Sequence, residues 1–240
     1  MLVCYPQPGK ARSREVLEAF ASGWGGGDGE AFYGVVGIER IFRDAQGGDW
    51  FYGDNAFFDV CRGRFFRFAR RAYQVASPQP PDLDRLRALG LAIRQWRVYG
   101  EHVLVIEQSA HYLDLVGAGP GWLERTVAEI RAATDRPIRV RRWDRDKSGA
   151  GATLKTDLAR AWALVTHSSA AANEAILAGI PAFVTGPCAA TPMASTRIAE
   201  IEEPRMPDGR EEWAAGLANS QWTLEELRSG AAWRRLVDRR

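Results

Sequence analysis

Between residues 102 and 186 the chain alternates between short apolar runs and amphipathic stretches, and few folds accept that pattern. The apolar runs are HVLVIE (102–107), PIRVR (137–141), WALVT (162–166) and AFVT (182–185). Helical spacing fills the gaps at 122–134, 154–161 and 169–177. Runs that are apolar without strict alternation suit strands buried on both faces. Strand, helix, strand in repetition predicts a parallel sheet covered by helices, an α/β architecture. The first hundred residues read as a smaller, less regular version: strands at 2–5, 32–37 and 49–53, helices at 13–22, 39–45 and 82–96. Helical patterns close the chain at 211–219 and 223–236. The expected division is a cut near residue 100. A smaller N-terminal half (1–100) would precede a C-terminal half (101–240) whose terminal helices pack back on its own sheet.

Composition enters where it excludes alternatives. Of 240 residues 46% are hydrophobic, with nine Trp and ten Phe, which is enough for a core and rules out a disordered chain. Trp213, Trp222 and Trp233 at helical spacing read as core for the terminal helices. A net charge of +2 gives no whole-molecule field that would select a partner. Cys4, Cys61 and Cys188 show no C-x-x-C spacing and are odd in number, so neither a disulfide framework nor a zinc site is expected. No stretch reads as a signal peptide or a membrane span, so the expectation is a cytoplasmic protein without a membrane partner.

The stretch ALVTHSSAAANEAILAGIPAFVTG (163–186) carries the most chemistry. In parallel α/β sheets, ligands bind beyond the carboxyl ends of strands, where helix N-termini point. Thr166, His167, Ser168 and Ser169 fall at such a junction. Ser168 or Ser169 would cap the next helix, and its first-turn amides suit a phosphate. Asn173 and Glu174 follow one turn later, where an acid can reach sugar hydroxyls. The alanines at 170–172 and 175 would let the helix sit close to the sheet. Gln108 and Ser109 end the 102–107 strand, and His111 could line the same cleft, whereas His102 at a strand start reads as structural. Arg141, Arg142 and Lys147 follow the 137–141 strand, where cations would neutralise a leaving diphosphate without a metal. No P-loop, dinucleotide fingerprint, H-E-x-x-H, G-x-S-x-G or D-x-D motif is present.

In the first half, Asp54 follows a strand end and could serve as a general base toward an acceptor hydroxyl if it faced His167 across a cleft. Asn55 would lie beside it. Arg62, Arg64, Arg67, Arg70 and Arg71 interleave with Phe65, Phe66, Phe68 and Tyr73, with no acid between residues 60 and 81. Guanidinium groups beside rings suit a nucleotide or a nucleic acid. A solvated basic face with inward rings is the competing reading.

The pattern V-T-x-S-S-x-x-x-E-A-x-x-x-G-x-P, carried here by Val165, Thr166, Ser168, Ser169, Glu174, Ala175, Gly179 and Pro181, resembles the nucleotide-sugar site of GT-B glycosyltransferases and their relatives. Those include capsule-polysaccharide enzymes, sialic-acid-related enzymes and nucleotide-sugar epimerases. The stretches Tyr52-Gly53-Asp54-Asn55, Arg62 to Arg67, Ser220 to Thr223 and Gly230 to Trp233 are similar to small phage and prophage glycosyltransferase-like proteins. The resemblance implies two Rossmann-like parallel-sheet halves in a compact GT-B-like arrangement. It also implies a metal-independent, cofactor-free transfer of a sugar from a nucleotide diphosphate sugar to an acceptor hydroxyl. Asp54 and His167 would be catalytic, with the Ser pair holding the diphosphate. A hydroxymethylated base in phage DNA is one acceptor that would fit. The alternative is a catalytically idle GT-B-like protein that binds nucleic acid through the arginine run. An epimerase-like enzyme is a weaker third reading. At 240 residues the chain is far shorter than the usual two-domain GT-B enzyme.

Overall fold

The computed structural model describes residues 1–34, 48–73, 82–143 and 153–237. The expected helix at 39–45, the last residues of the expected 32–37 strand, and Lys147 lie outside them. The chain divides into two compact units, residues 1–89 with 214–240 and residues 90–213. The sequence reading placed a single cut near residue 100 and assigned the terminal helices to the second half. Here those helices belong with the first unit.

The chain enters the first unit through strand β1 (Leu2–Tyr5), helix α1 (Ala11–Ser22), strand β2 (Gly29–Tyr33), strand β3 (Trp50–Asn55), strand β4 (Phe65–Arg70) and helix α2 (Leu83–Ala88). Ser13, Val16, Leu17 and Phe20 recur at i, i+3, i+4 and i+7 on α1, and all four are buried. Ser13 tolerates burial because its hydroxyl donates to the Lys10 carbonyl at 2.8 Å and accepts from the Gln7 amide at 2.9 Å. Helix α2 was expected to run to 96 but stops at Ala88. Gly90, at φ +66°, takes the left-handed turn that ends helices.

The second unit holds β5 (His102–Ile106), α3 (Ala110–Leu115), α4 (Trp122–Ala133), β6 (Ile138–Arg141), α5 (Leu154–Leu158), β7 (Ala161–Thr166), α6 (Ala171–Leu177) and β8 (Ala182–Val184), followed by α7 (Arg210–Ala218), which leads back to the first unit. Its four strands are all parallel, in the order β6-β5-β7-β8. Every residue of β5 and of β7 is buried, as strands covered on both faces require. Ala172 and Ala175 are fully buried against Leu164, Ala182 and Val184, so the alanine-rich turns of α6 do pack close on the sheet. The irregular segment before β5 is tied to the end of α6. The Arg94 and Arg97 amides donate to the carbonyls of Leu177 and Gly179 at 2.9 and 2.6 Å. Gly179 sits at φ +76°, and a Cβ there would land on the Gln95 carbonyl, which accounts for the glycine two residues before Pro181.

The return adds strand β9 (Gln221–Thr223), helix α8 (Leu224–Arg228) and helix α9 (Ala231–Val237) to the first unit. The first sheet then runs β1-β2-β3-β4-β9. Strands β1, β2 and β3 are parallel, but β3–β4 and β4–β9 are antiparallel. This corrects the expectation of two wholly parallel halves. Only residues 56–64 join β3 to β4, and a parallel crossover needs a dozen residues or more. Trp222 of β9 pairs with Phe66 of β4, and both lie in a core with Phe20, Phe51, Phe68, Leu227 and Leu236. No helix among the described residues is long and apolar enough to cross a membrane.

Candidate functional site

Strand order decides where a ligand can enter the second unit. From β5 the chain crosses to β6 on one side, then returns past β5 to β7 on the other. The reversal falls between β5 and β7, and open α/β sheets bind ligands in the crevice outside the carboxyl ends of such strands. Ile106 and Thr166 are paired in register, so Glu107-Gln108-Ser109 and His167-Ser168-Ser169 emerge side by side.

These residues are joined by hydrogen bonds. Gln108 Oε1 accepts from the Ser168 amide at 2.8 Å and from Thr166 Oγ1 at 3.4 Å, and Thr166 Oγ1 also donates to the Ile106 carbonyl at 3.1 Å. The Ser168 and Tyr112 hydroxyls lie 2.5 Å apart. Ser109 caps α3 by accepting from the Tyr112 amide at 3.3 Å. Ser168 is therefore a bracing residue here, and Ser169 accepts the Ala171 amide at 3.3 Å, while the residue that precedes α6 is Ala170, which offers no side-chain cap, so neither serine is the expected N-cap. The amides of Ser169 and Ala170 meet no acceptor among the described residues. Helix α6 has only seven residues, so the phosphate-binding capacity lies in this turn and its side chains more than in a long helix dipole. Asn173 is buried in α6 and Glu174 half-buried in its first turn.

His167 stands in a cage of residues that sequence reasoning did not single out. Its Nδ1 is 3.0 Å from Thr185 Oγ1, and Trp122 Nε1 donates to the same oxygen at 2.9 Å. Tyr112 and Trp122 meet the imidazole edge-on at centroid distances of 6.4 and 6.3 Å. Gly186 closes the cage, since a Cβ there would fall on His167 Cε1 and Nε2. Burial lowers the imidazole below its ordinary value, so the ring is neutral at pH 7. Trp122 begins an amphipathic helix and Thr185 ends an apolar run. Neither carries a local signal that they would meet at His167.

The cations of the β6 end are engaged. Arg141 pairs with Asp157, and Arg142 pairs with Glu107 at 3.2 Å, while the other oxygen of Glu107 accepts from the Trp143 amide at 2.9 Å. Arg142 keeps 57% of its side chain exposed and is the more accessible of the two. Among the described residues no three His, Cys, Asp or Glu side chains come together as metal ligands would.

The first-unit candidates fare differently. Asp54 and Arg67 face one another across β3 and β4, bonded at 2.8 Å with side chains only 19% and 11% exposed. Tyr52 donates to the same carboxylate at 2.8 Å and the Asn55 amide at 2.7 Å. Burial works against the Arg67 charge, but Asp54, with smaller help from the neighbouring tyrosines, leaves it held above its ordinary value. The carboxylate expected to act as a base thus already accepts three hydrogen bonds. Asn55 accepts from Tyr33 at 3.3 Å. The arginine run, read as a nucleic-acid surface because it lacks internal acids, is the interior strand β4 and its flanks, and acids from neighbouring segments meet it. Arg70 is bidentate with Asp49, Arg71 lies 3.5 Å from Asp49, and Arg62 pairs with Asp59. Arg64 donates to the Val60 carbonyl. Asp54 and His167 lie in different units.

No protein-family model and no curated protein matches the chain by sequence. Among solved structures sixteen chains match. One is KpsC of Thermosulfurimonas dismutans, a beta Kdo 2,4 transferase, at a TM-score of 0.50 and 13% identity over 90% of this chain and 90% of that one. At that identity the likeness establishes a fold: mixed α/β with a parallel sheet, similar to that of a glycosyltransferase.

Proposed function

We propose that this chain is a glycosyltransferase that takes its sugar from a nucleotide-sugar donor held in the second unit. One observation carries the reading: where the strand order of the second sheet reverses, Gln108, Thr166, His167, Ser168 and Ser169 converge, and the amides of Ser169 and Ala170 have no acceptor among the described residues. That is a site for the phosphates of a donor, with Arg142 at its edge and Glu174 of α6 placed to meet a ribose or sugar hydroxyl. The fold shared with a Kdo transferase supports the class of reaction.

The chemistry assigned to the site follows from these groups. Donor hydrogen bonds to the phosphate oxygens become stronger as the sugar–phosphate bond breaks and charge builds on the leaving group. The acceptor hydroxyl must approach from outside this crevice and lose a proton. Asp54, in the other unit, already accepts bonds from Arg67, Tyr52 and the Asn55 amide, so it is not assigned that proton. A DNA base as the acceptor loses its main argument with the ion-paired arginines, so a saccharide hydroxyl is the acceptor we propose.

The test is thermal unfolding with a panel of UDP-, GDP- and CMP-activated sugars and the free nucleotides. A donor at a hundredfold excess over its Kd adds about 2.7 kcal/mol, which raises the midpoint of a chain this size by about 5 °C or more. The reading also expects Ser169→Ala and Arg142→Ala to shrink that rise. A flat response across the whole panel would overturn it.

A further inference from the structure

We infer that Trp122 and Thr185 are positioning residues that hold His167 as the Nε2–H tautomer, so that His167 meets the donor phosphate as a hydrogen-bond donor and not as a base. The inference rests on the reading of the crevice as a donor site, but its own evidence is a three-membered relay: Trp122 Nε1 to Thr185 Oγ1 at 2.9 Å, and Thr185 Oγ1 to His167 Nδ1 at 3.0 Å.

The protons in this relay can be assigned in turn. An indole N–H can only donate, so Trp122 takes one lone pair of the Thr185 hydroxyl. The hydroxyl keeps one proton and one further lone pair. A neutral imidazole carries one N–H, on either nitrogen. Were it on Nδ1, that N–H would occupy the remaining lone pair, and the hydroxyl proton would have to turn away from both partners. With Nδ1 bare, the hydroxyl proton points at it, and every group of the relay is used. Accepting from the indole also polarises the hydroxyl and makes it a better donor. The proton of His167 is then on Nε2, an atom with no hydrogen-bond partner among the described residues.

The cage keeps the ring in this pose. Tyr112 and Trp122 flank it edge-on, and Gly186 lies so close to Cε1 and Nε2 that any side chain at that position would evict the ring. The ring is neutral before ligand arrives, because burial disfavours the imidazolium. A neutral N–H donor can serve a phosphate at neutral pH without first gaining a proton. The same ring cannot accept a proton from an acceptor at Nε2, since that nitrogen is already protonated. His167, which the sequence placed among both the catalytic and the phosphate-binding residues, is thereby assigned to binding.

The measurement is nitrogen-15 NMR of the histidine side chains in the full chain. Only three histidines are present, and His167→Gln assigns the relevant pair of signals. The expected result in wild type near pH 7.5 is an unprotonated Nδ1 and a protonated Nε2. Thr185→Val should move both signals toward a tautomer mixture, Thr185→Ser should restore them, and Trp122→Phe should shift them partway while keeping a ring in place. A wild-type Nδ1 that carries the proton, or a Thr185→Val spectrum like wild type, overturns the relay. Calorimetric titration with the nucleotide identified by the thermal panel supplies the second arm. Thr185→Val is expected to weaken binding about tenfold, with Thr185→Ser close to wild type, the size of one hydrogen bond to a charged group. If wild type binds no nucleotide, the donor-site reading fails while the tautomer result stands. If wild type binds and Thr185→Val binds equally well, the positioning role fails and the donor site survives.

Discussion

Asp54 shows how far a single residue type can mislead. A carboxylate at a strand end, followed by Asn, looks the same whether it is a base or half of an ion pair, and only the strand opposite decides. Here the partner is Arg67, thirteen residues away in sequence but directly across the ladder. Asp54→Asn is therefore expected to cost about 3 kcal/mol of stability in urea unfolding, because it leaves a mostly buried guanidinium without its counter-charge. A variant that keeps wild-type stability but loses about a hundredfold or more in turnover would assign Asp54 to proton transfer instead. Two histidines set a second prediction. His167 is lowered by burial, and His102 by burial and then by Arg139, with its Nε2 3.2 Å from the Asp157 carbonyl and its Nδ1 buried without a partner among the described residues. Both take up protons more readily in the unfolded chain than in the folded one. Stability should therefore fall as pH drops below 6.5, the ordinary histidine value, toward the lowered folded values, and be fully present above it. Urea midpoints between pH 7.5 and 5.5 check this, and His102→Gln or His167→Gln should each flatten the slope. An unchanged slope in both variants would sink the assignment.

At the scale of elements, local pattern was readable and neighbours were not. The strands of the second unit and its helices α4, α5 and α6 lie close to where apolar periodicity put them, since β5 and β7 are buried throughout and α4 buries one stripe, whereas α3 at Ala110–Leu115 was not expected. Strand β9 escaped notice because three residues between two helical patterns carry no periodicity of their own. Strand β4 was read as a ligand surface because the arginines in and before it are conspicuous, yet Phe66 and Phe68 lie in the core, Arg67 and Arg70 meet Asp54 and Asp49, and Arg62 ahead of the strand meets Asp59. The turn from β9 into α8 carries a further ion pair. Thr223 and Glu226 form a capping box, and Arg85 of α2 grips both Glu226 oxygens at 2.6 and 2.9 Å. Burial alone would raise the Glu226 carboxyl, but the bonds from Arg85 and Thr223 together with the Arg85 charge outweigh it, and the net shift is downward. That stability is present above the ordinary carboxylate value of 4.5 and is lost as pH falls through the lowered folded value. Glu226→Gln should cost about 1 kcal/mol at pH 7, allowing for partial exposure, and close to nothing at pH 3. An equal cost at both values would mean that shape, not charge, is what Glu226 contributes.

For the whole molecule, the division into units depends on the last residues of the chain. A chain cut after Trp213 keeps all of residues 90–213 but loses β9, Trp222, Leu227 and Leu236 from the first core. Hydrogen exchange is expected to show the β4 and β3 amides unprotected in that truncation while β5 and β7 stay protected. Protection retained in β4 would mean that the first unit closes without its C-terminal part. The chain's order of residues was sufficient to determine the α/β class, the all-parallel second sheet and the polar junction at Thr166–Ser169, because burial on two faces and a change from apolar to hydroxyl residues are local properties of consecutive positions. The tertiary structure alone decided that the terminal helices complete the first unit, that the arginine run is neutralised by distant acids, and that Trp122, Thr185 and Gly186 surround His167. Those outcomes depend on which segments are brought together across sheets and crossovers, and pairing at a distance leaves no periodicity along the chain to read.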